Sequence, residues 1–276
     1  MYHLTRFVAF EASHRYWNPM FSTEENKRIF GKCVSTYGHG HNYILRVTLQ
    51  GNVAPETGMV VNIQTIDRIL KDIISEFDHK FINLDHPAFS HRIPTTENIV
   101  AYMRSRIIAA LPPVGEPYCL YRVTLYEDPT LWSDSVSTQR ETMAYLTKKF
   151  IFSAAHRLHS ATLSAEANRQ IFGKCNNPHG HGHNYELEVT VNGEIDSRTG
   201  MIIDLLYLMD SVQSQVLDRF DHKHLNHDTV EFRSLNPTGE NITKVIWDIL
   251  HPTFGDKLVK IGLWETPKNY FEYYGM

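Results

Sequence analysis

The stretch Gly-His-Gly-His-Asn-Tyr occupies residues 38–43, and the same six residues recur in the same order at 180–185. The stretch Ile-Phe-Gly-Lys-Cys behaves in the same way, at 29–33 and again at 171–175. Both pairs are separated by 142 residues. Self-similarity at a fixed offset indicates that a structural unit has been duplicated. The chain is therefore expected to contain one kind of domain twice.

The later motifs continue the duplication after a one-residue slip in the offset. They are Phe-Asp-His-Lys at 77–80 and 220–223, and Pro-Thr-x-Glu-Asn at 94–98 and 237–241. Because all motifs keep one order over nearly the whole chain, chance repetition is excluded. We predict a first domain over 1–132 and a second over 143–276. Residues 133–142 are polar and lack apolar periodicity, which predicts an exposed linker between the domains.

The composition restricts the classes of function. The chain has 276 residues, with 27 Lys and Arg against 31 Asp and Glu, so its net charge is −4 and it lacks the positive field of a general nucleic-acid binder. No segment approaches the roughly 18 consecutive apolar residues that span a bilayer, and the N-terminus lacks the pattern of a signal peptide. Three cysteines argue against a disulfide framework. We therefore expect a cytoplasmic protein without nucleic-acid or membrane partners.

The hydrophobic periodicity of each copy predicts both strands and helices. Residues 2–14, 42–50 and 121–125 of the first copy are typical of strands. Apolar residues at helical spacing over 66–77 and 99–111 predict two amphipathic helices. The order strand, hairpin strand, helix, helix, strand indicates an α+β fold. We expect an antiparallel sheet that carries its helices on one face.

The repeated histidines have the spacing of metal ligands. Residues i and i+2 of a strand point to the same side, so His39 and His41 direct two imidazoles towards one place. His14, near the end of the first strand, is the natural third ligand. The counterparts in the second copy are His156, His181 and His183. Three neutral imidazoles with one open position are typical of a catalytic zinc site, so we expect one Zn²⁺ per repeat and two per chain. The alternative is a pair of hydrogen-bonded strand histidines without a metal.

A cysteine precedes each histidine pair by six residues. Cys33 and Cys175 are candidates for a fourth metal ligand, or for a free nucleophile or base. The lysine before each cysteine places a basic group nearby, and a cation or a metal lowers the pKa of a thiol. The alternative is a buried apolar cysteine, which is our expectation for the unrepeated Cys119.

Acidic side chains complete the repeated set, and each permits two interpretations. Asp78 with His79, and Asp221 with His222, suit an acid/base pair, but a histidine near a helix C-terminus is also electrostatically favourable. Glu127 and Glu265 end a strand, where a carboxylate can accept two parallel hydrogen bonds from adjacent N–H donors of a ligand, or can be an exposed charge. The remaining candidate residues come just before the second helix of each copy. They could form a helix N-cap with its first-turn acid, or they could contact a ligand. They are Thr95, Thr96 and Glu97 in the first copy, and Thr238 and Glu240 in the second.

Together these motifs resemble the 6-pyruvoyltetrahydropterin synthase family, which includes the 6-carboxytetrahydropterin synthases of queuosine biosynthesis. The resemblance covers residues 3–130 and 145–274 and rests on five motifs in order. It implies the tunnelling fold, in which each unit is a four-stranded antiparallel sheet with two helices. Such units form barrels with active sites between units. Because the family members are usually hexamers of single domains, the resemblance implies a homo-oligomer, plausibly a trimer of tandem chains.

The resemblance also implies a reaction, a zinc-assisted conversion of 7,8-dihydroneopterin triphosphate to 6-pyruvoyltetrahydropterin with release of triphosphate. It assigns zinc to the histidine triads, acid/base roles to the Cys, Asp and His positions, and the pterin ring to Glu127 and Glu265. The spacing Cys-x5-His-Gly-His is similar to the biopterin-type enzymes, whereas the queuosine-type enzymes usually have Cys-x3. A 6-carboxytetrahydropterin synthase, a non-catalytic pterin or metal scaffold, and another zinc enzyme such as a GTP cyclohydrolase remain alternatives.

The two copies differ around these shared positions. Both keep every acid/base and metal position, which predicts two working sites per chain. Residues 34–37 of the first copy depart from the more family-like sequence at 176–179 of the second, and Asn62 stands where the second has Asp204. Gly239 replaces the hydroxyl of Thr96. These differences put equal activity of the two halves in doubt.

Overall fold

The computed structural model describes residues 1–112, 118–136, 140 and 142–275. The strands are β1 Tyr2–His14, β2 His39–Gly51, β3 Lys80–Phe81, β4 Tyr118–Asp128, β5 Leu131–Val136, β6 Met143–His156, β7 His181–Glu194, β8 Lys223–His224, β9 Leu258–Thr266 and β10 Asn269–Tyr273. The helices are α1 Thr23–Phe30, α2 Ile63–Ser75, α3 Ile82–Asp85, α4 Thr96–Ala110, α5 Ala165–Phe172, α6 Leu205–Val212, α7 Asp218–Phe220, α8 Leu225–Asp228 and α9 Gly239–Phe254. Within the described part of the chain, no helix has both the length and the apolar character that crossing a membrane requires.

The strands of each repeat follow one order. In the first repeat the order is β3-β1-β2-β4-β5, and in the second it is β8-β6-β7-β9-β10. Strands β1, β2, β4 and β5 pair antiparallel, while the two-residue β3 adds a short parallel edge beside β1. The predicted α+β class with a four-stranded antiparallel sheet is therefore confirmed, with one small extra strand.

The hydrophobic core of the first repeat lies between the sheet and two helices. Alternate residues of β2 are buried: Tyr43, Leu45, Val47 and Leu49. The predicted stripe of α2 is buried against them: Ile66, Ile69, Leu70, Ile73, Ile74 and Phe77. Helix α4 adds Ile99, Val100, Met103 and Ile107 to the same core. Each such side chain contributes about 1.5–3 kcal/mol through burial, so this shared core anchors both helices to one sheet face.

A π-helical turn accounts for the one-residue slip between the copies. The offset changes between the motif at 199–201 and the motif at 220–223. In this interval α6 passes into the π-helical turn Gln213–Leu217 before α7. An inserted residue can be absorbed in a helix as a single wide turn, without a break in the helix. The buried side of the helix is thus preserved at Leu208, Val212, Val216 and Phe220.

The described chain divides into two compact units. The first unit contains residues 1–147 together with Asn192–Leu206, and the second contains Lys148–Val191 and Tyr207–Met276. Thus a short segment of the second repeat, Asn192–Leu206, belongs to the unit that is built on the first repeat.

The predicted linker is wrong for residues 133–136. These residues are part of β5, which pairs with β4. Ser133 and Ser135 are buried, on alternate positions of the strand. The prediction failed because Ser133, Asp134 and Ser135 show no hydrophobic alternation. The two small serine side chains nevertheless fit where β5 packs beside α4. Residues 137–139 and 141 of the predicted linker lie outside the described residues.

A buried asparagine organises the loop before each cysteine. Asn168, on α5, is fully buried. Its Nδ2 donates to the carbonyls of Ser160, Leu163 and Ser164 at 2.9, 3.1 and 3.0 Å, and its Oδ1 accepts from the Ser160 N–H at 2.8 Å. Asn26 makes the corresponding bonds in the first repeat. Helix α5 leads directly into the 3₁₀ turn Gly173–Asn176, which carries Cys175.

We expect Asn168→Ala to lower the free energy of unfolding by at least about 2 kcal/mol, because each buried backbone group left without a partner costs about 1–3 kcal/mol. Denaturant unfolding measures the effect. The control is Gln170→Ala on the same helix. The Gln170 side chain is exposed and hydrogen-bonds Glu166, so the free energy of unfolding should change by no more than about 0.5 kcal/mol. Equal effects of the two substitutions would show that Asn168 does not hold this loop.

Candidate metal and pterin site

Strand pairing brings three imidazoles of the first repeat together. In the antiparallel register of β1 and β2, His14 lies opposite His39, and Ala12 lies opposite His41. The Nε2 atoms of His14 and His39 are 3.2 Å apart. In the second repeat the Nε2 atoms of His156 and His181 are also 3.2 Å apart. His41 and His183 face the same places, with ring centroids 5.0 and 5.1 Å from those of His14 and His156.

A glycine before each histidine pair permits this close approach. Gly38 and Gly180 have φ values of +71° and +76°, which L-amino acids with a side chain rarely adopt. A Cβ on Gly38 would lie 2.6 Å from the carbonyl oxygen of His14, and one on Gly180 would lie 2.8 Å from that of His156. Gly38 and Gly180, the first residues of the Gly-His-Gly-His motifs, are therefore needed for the backbone conformation that positions the histidines.

Backbone carbonyls fix the protonation of the innermost imidazoles. His14 Nδ1 lies 2.9 Å from the Pro94 carbonyl oxygen, and His156 Nδ1 lies 2.8 Å from that of Pro237. Because a carbonyl only accepts, Nδ1 carries the proton and Nε2 keeps its lone pair. Burial lowers the pKa of His14 and of His156 to about 4. Both rings are therefore neutral at neutral pH, as metal coordination requires.

The two clusters fit a divalent metal ion. The buried Nε2 atoms of His41 and His183 have no hydrogen-bond partner in the structure, and such orphaned polar atoms are costly. One potential ligand atom from each histidine lies within 4.8 Å of the others. Tetrahedral zinc with Zn–N distances near 2.0–2.1 Å needs nitrogens roughly 3.3 Å apart, close to the separation observed between the Nε2 pairs. In the first repeat Glu127 also belongs to the cluster of potential ligands.

Glu127 is a buried carboxylate with several partners. Its side chain is 6% exposed, and its Oε1 lies 3.5 Å from His41 Nε2. Its Oε2 accepts hydrogen bonds from the hydroxyls of Thr96 at 2.6 Å and Tyr16 at 3.1 Å. Glu265 is 14% exposed and lies 3.8 Å from His156 Nε2. Its Oε2 accepts from Asn269 Nδ2 at 3.0 Å. The structure thus places both glutamates beside the histidines, and neither is an exposed strand-end charge.

The threonines and glutamates at the start of α4 and α9 include the helix caps that were one of the two interpretations made from the sequence. Thr95 and Thr238 are N-caps, because their hydroxyls accept from the N–H of Asn98 and Asn241. Thr95 also donates to the Gly200 carbonyl at 2.6 Å.

Glu97 is buried in the first unit, whereas Glu240 is exposed. Glu97 accepts from the Ile202 N–H at 3.3 Å. Burial raises the pKa of Glu97 to about 7. Glu97 is therefore more than a first-turn acid, and the segment Asn192–Leu206 supplies its partner.

Cys33 lies on the same side as the first histidine cluster. It packs against a small apolar group that includes Tyr16, Phe21, Phe30 and Met201. Burial and the Glu127 carboxylate raise the pKa of its thiol to about 11, opposite to the lowering expected from the neighbouring lysine. Among the described residues, the sulfurs of Cys33 and Cys175 are not part of the clusters of potential metal ligands.

The Asp-His pairs lie on the opposite face of the sheet from the histidine clusters. His79 Nδ1 is 3.0 Å from Asp78 Oδ2, and Asp78 Oδ1 accepts from the Glu11 N–H at 3.1 Å. Side chains alternate along β1, so Glu11 faces away from the side of Ala12 and His14. In the second repeat His222 Nδ1 is 2.9 Å from Asp221 Oδ2. The structure therefore does not bring an Asp-His pair to the metal cluster or cysteine of its own repeat.

The backbone of both pairs is strained in the same way. His79 and His222 have φ values of +57° and +56°, respectively. The N–H of His79 donates to the Glu11 carbonyl at 2.6 Å, and that of His222 donates to the Ser153 carbonyl at 2.6 Å. Left-handed backbone at a residue other than glycine costs free energy and is concentrated at functional sites. A left-handed residue is also common directly after a helix, so the backbone agrees with both interpretations of the pairs.

Sequence reasoning missed three partners of the site. The Pro94 carbonyl has no side-chain signal. Glu11 lies 3.3 Å from His79 Nε2, and Ser153 replaces it in the second repeat. Tyr16 bonds Glu127, and Leu158 replaces it. The differences at Glu11 and Tyr16 are visible when the two copies are aligned. Such an alignment could have identified both residues as candidates.

Comparison with known protein families identifies the family to which this chain belongs. The family model described as 6-pyruvoyl tetrahydropterin synthase matches residues 3–136 and 145–276. The chain belongs to the 6-pyruvoyl tetrahydropterin synthase family. The 6-pyruvoyl tetrahydrobiopterin synthase of Drosophila melanogaster is 43% identical over 49% of this chain and 82% of its own length. The human protein of the same name is 42% identical over 49% of this chain and 94% of its own.

Single-domain members of the family thus correspond to about half of this chain. The solved 6-pyruvoyl tetrahydropterin synthase of Caenorhabditis elegans is 41% identical, with a TM-score of 0.47, and covers 49% of this chain and 96% of its own. A 6-carboxy-5,6,7,8-tetrahydropterin synthase of Haemophilus influenzae is 28% identical over 48% of this chain. The tandem duplication inferred from the motifs is confirmed by the two separate family matches.

We expect Asp78→Asn to lower the pKa of His79. The Asp78 carboxylate holds this pKa above its ordinary value near 6.5, first by the hydrogen bond and then by its charge. NMR titration of ¹³C-labelled histidines, with His79→Gln for assignment, measures the change. Glu11→Gln is the matched control, because Glu11 is a weaker cause, so its effect should be smaller. An unchanged titration in Asp78→Asn would show that the pair is not coupled in solution.

Proposed function

We propose that the chain converts 7,8-dihydroneopterin triphosphate to 6-pyruvoyltetrahydropterin with release of triphosphate, as a carbon–oxygen lyase. The observation that carries the proposal is the cluster of three imidazoles beside the buried Glu127, in which the buried His41 Nε2 has no hydrogen-bond partner among the described residues. Membership of the family supports it, as do the names of relatives at 40–44% identity. The repeats that carry it are proposed as residues 1–132 and 143–276.

The metal of this proposal is Zn²⁺, with one ion held by each histidine triad. His14, His39 and His41 would hold one ion, and His156, His181 and His183 the other. When bound, the ion supplies Lewis acidity that polarises the hydroxyl groups of the substrate side chain. The Nδ1–H bonds to the Pro94 and Pro237 carbonyls would orient one ligand in each site.

The side chains of the protein would bind the ring and move protons. A glutamate such as Glu265, whose side chain is 14% exposed, can accept two hydrogen bonds from the adjacent N–H groups of a pterin. A cysteine thiolate would remove a C–H proton of the side chain, and an Asp-His pair would exchange protons with it. Triphosphate leaves with the electron pair of its C–O bond. Tautomerisation then moves hydrogen from the side chain to the C=N bond of the dihydropterin ring, so no external oxidant or reductant is needed.

The position of the Asp-His pairs supports a homo-oligomer, plausibly a trimer of tandem chains. Each pair lies on the sheet face opposite to the metal cluster of its own repeat, so it can serve only the site of a different repeat. Assembly of several units is the way in which such a pair would meet a cluster. The expected cytoplasmic location stays a prediction.

The direct test is a product assay without oxygen, in which zinc-loaded protein is incubated with 7,8-dihydroneopterin triphosphate and the products are identified by mass. We expect a 6-pyruvoyl product and free triphosphate. A 6-carboxy product with acetaldehyde would assign the chain to the queuosine-type branch. No turnover despite bound zinc would indicate a scaffold or another substrate, such as GTP.

The same assay tests the role of the repeated cysteine. We expect the double variant Cys33→Ala/Cys175→Ala to lower kcat by about 10²–10⁴-fold, the range lost with a positioned acid/base group, because each repeat carries a proposed site. Cys119→Ala is the matched control, because Cys119 is an exposed free cysteine on β4 and is not repeated. Its kcat should equal that of the parent. If Cys33→Ala/Cys175→Ala retains full kcat, cysteine is not the base.

A further inference from the structure

Two surfaces of the chain, one in each repeat, are exposed although their counterparts in the other repeat are buried. We propose that the docking segment of one chain, residues 50–64, binds the receiving surface of a second copy of the chain. The receiving surface consists of side chains of the second repeat: Leu163, Ile171, Phe172, Thr238 and Glu240. The proposal deepens the homo-oligomer of the proposed function by naming the surfaces that meet. It does not depend on the catalytic part of that function.

The template for this contact lies inside the first compact unit. Residues Asn192–Leu206 of the second repeat belong to this unit, and they correspond in sequence to the docking segment 50–64. Met201 of this stretch packs in one apolar group with Phe21 and Phe30 of the first repeat. The chain therefore already contains one contact between such a segment and such a surface.

Side chains at the start of α4 bind the backbone of the template segment. The Thr95 hydroxyl donates to the Gly200 carbonyl at 2.6 Å. The Ile202 N–H donates to Glu97 Oε1 at 3.3 Å. A Cβ on Gly200 would lie 2.6 Å from Asn98 Nδ2, so the segment is held closely against this helix. The template thus combines an apolar contact with two hydrogen bonds.

The docking segment carries the same apolar and glycine positions, but they are exposed. Met59 is 41% exposed, whereas its counterpart Met201 is 7% exposed. Ile63 is 47% exposed. No described atom lies within 4 Å of a Cβ placed on Gly58, in contrast to the packed Gly200. The segment therefore presents a binding surface that is not used within the described part of the chain.

The apolar part of the receiving surface is exposed in the same sense. Leu163 is 36% exposed, whereas its counterpart Phe21 is 8% exposed. Ile171 is 61% exposed, whereas its counterpart Ile29 packs against the apolar group of the template. Exposed apolar side chains that cluster on one surface are typical of a protein contact.

A glutamate and a glycine of the receiving surface show the same contrast. Glu240 is exposed, whereas its counterpart Glu97 is buried. A Cβ on Gly31 would lie 3.3 Å from Leu206 Cδ1 of the template segment, but no described atom lies within 4 Å of one on Gly173. The second repeat thus lacks the covering that the first repeat receives.

The polar groups needed for docking are kept on both surfaces. Thr238 and Glu240 have the side-chain types that bind the template segment. By the template, the Thr238 hydroxyl donates to the Gly58 carbonyl of the second copy. The Glu240 carboxylate accepts from the Val60 N–H of that copy. These two bonds satisfy backbone groups that burial would otherwise leave without partners.

Charge differences favour the pairing between copies. The pKa of the Glu25 carboxyl is lowered chiefly by the hydrogen bond from the Ser22 N–H, and the charge of Arg198 on the template segment adds to the effect. The docking segment has Glu56 where the template has Arg198, and the second repeat has Ala167 where the first has Glu25. Docking on the second repeat therefore avoids a repulsion between two carboxylates, which selects the correct surface.

The proposed contact is head-to-tail, because it joins two different surfaces. Each chain presents one docking segment and one receiving surface. Contacts between unlike surfaces form a ring when the rotation closes, and a filament when it does not. A closed ring of at least two chains covers every such surface. In that ring Glu240 obtains its backbone partner from another chain, whereas Glu97 obtains its partner within its own.

The test is the mass of the assembly in solution, measured by light scattering after size exclusion. The parent chain should form an assembly of at least two copies. Met59→Asp removes an apolar side chain from the docking segment, and Ile171→Asp does the same on the receiving surface. Each variant alone should fall towards the mass of one chain, 32.0 kDa.

An equal mixture of the two variants identifies the head-to-tail contact. The Met59→Asp chain keeps its receiving surface, and the Ile171→Asp chain keeps its docking segment. One intact contact can therefore form between them, and mixing should restore pairs of chains. A contact of one surface with itself would not be restored in this way.

Leu84→Asp and Val230→Asp are the matched controls, because both side chains are exposed and apolar but lie outside the two surfaces. Both should keep the mass of the parent assembly. A monomeric parent, an unchanged mass in either docking variant, a mixture that stays monomeric or an equal loss in the controls would contradict the proposal. None of these results bears on the product assay, so the lyase function would stand or fall separately.

Hydrogen exchange of the parent chain decides the question even if a variant does not fold. The Ile202 N–H, bonded to Glu97 within the chain, should exchange slowly at every protein concentration. The Val60 N–H should exchange slowly in the assembly and faster after dilution to single chains. Exchange at Val60 that does not change on dissociation would contradict the proposal.

Discussion

The hydrogen bond between His14 Nδ1 and the carbonyl of Pro94, repeated between His156 and Pro237, is the interaction on which each site depends. It fixes the tautomer of a fully buried ring, so that its Nε2 lone pair points to the other two imidazoles. The register of β1 and β2 then places His39 opposite His14. Gly38 permits the approach because a side chain there would collide with the strand. The hydroxyls of Tyr43 and Tyr185 lie 3.1 and 3.4 Å from the same Nδ1 atoms, so a carbonyl and a phenol together hold each ring.

The sheet separates two kinds of chemistry. Its inner face carries the imidazoles, the glutamates and the apolar core, and its outer face carries the Asp-His pairs with their left-handed backbone. Each repeat therefore carries its metal-ligand cluster and its Asp-His pair on opposite faces of one sheet. Under the proposed function, an Asp-His pair would reach a metal cluster only from a different repeat, as in an assembly of several units.

Much of the fold was predictable because its signals are local. The strands, the helical stripe of α2 and the duplication all follow from periodicity and repeated motifs. Strand β5 was not predicted, because Ser133 and Ser135 are buried by packing beside α4 and show no hydrophobic alternation. The histidine triads were predictable from strand geometry. The positions of Asp78 and His79 on the other sheet face were not, because they depend on where the chain returns to β1 after α2. Tyr16 was visible only as a difference between the copies.

The central claim is that three imidazole nitrogens form the protein part of the metal site and that the repeated cysteine sulfur stays free. X-ray absorption spectroscopy at the zinc edge on the zinc-loaded chain tests it most directly. The account predicts nitrogen and oxygen neighbours at about 2.0–2.1 Å, with imidazole scattering from about three rings per ion. A sulfur neighbour at about 2.3 Å would contradict it, since the cysteine would then be a ligand and not a base.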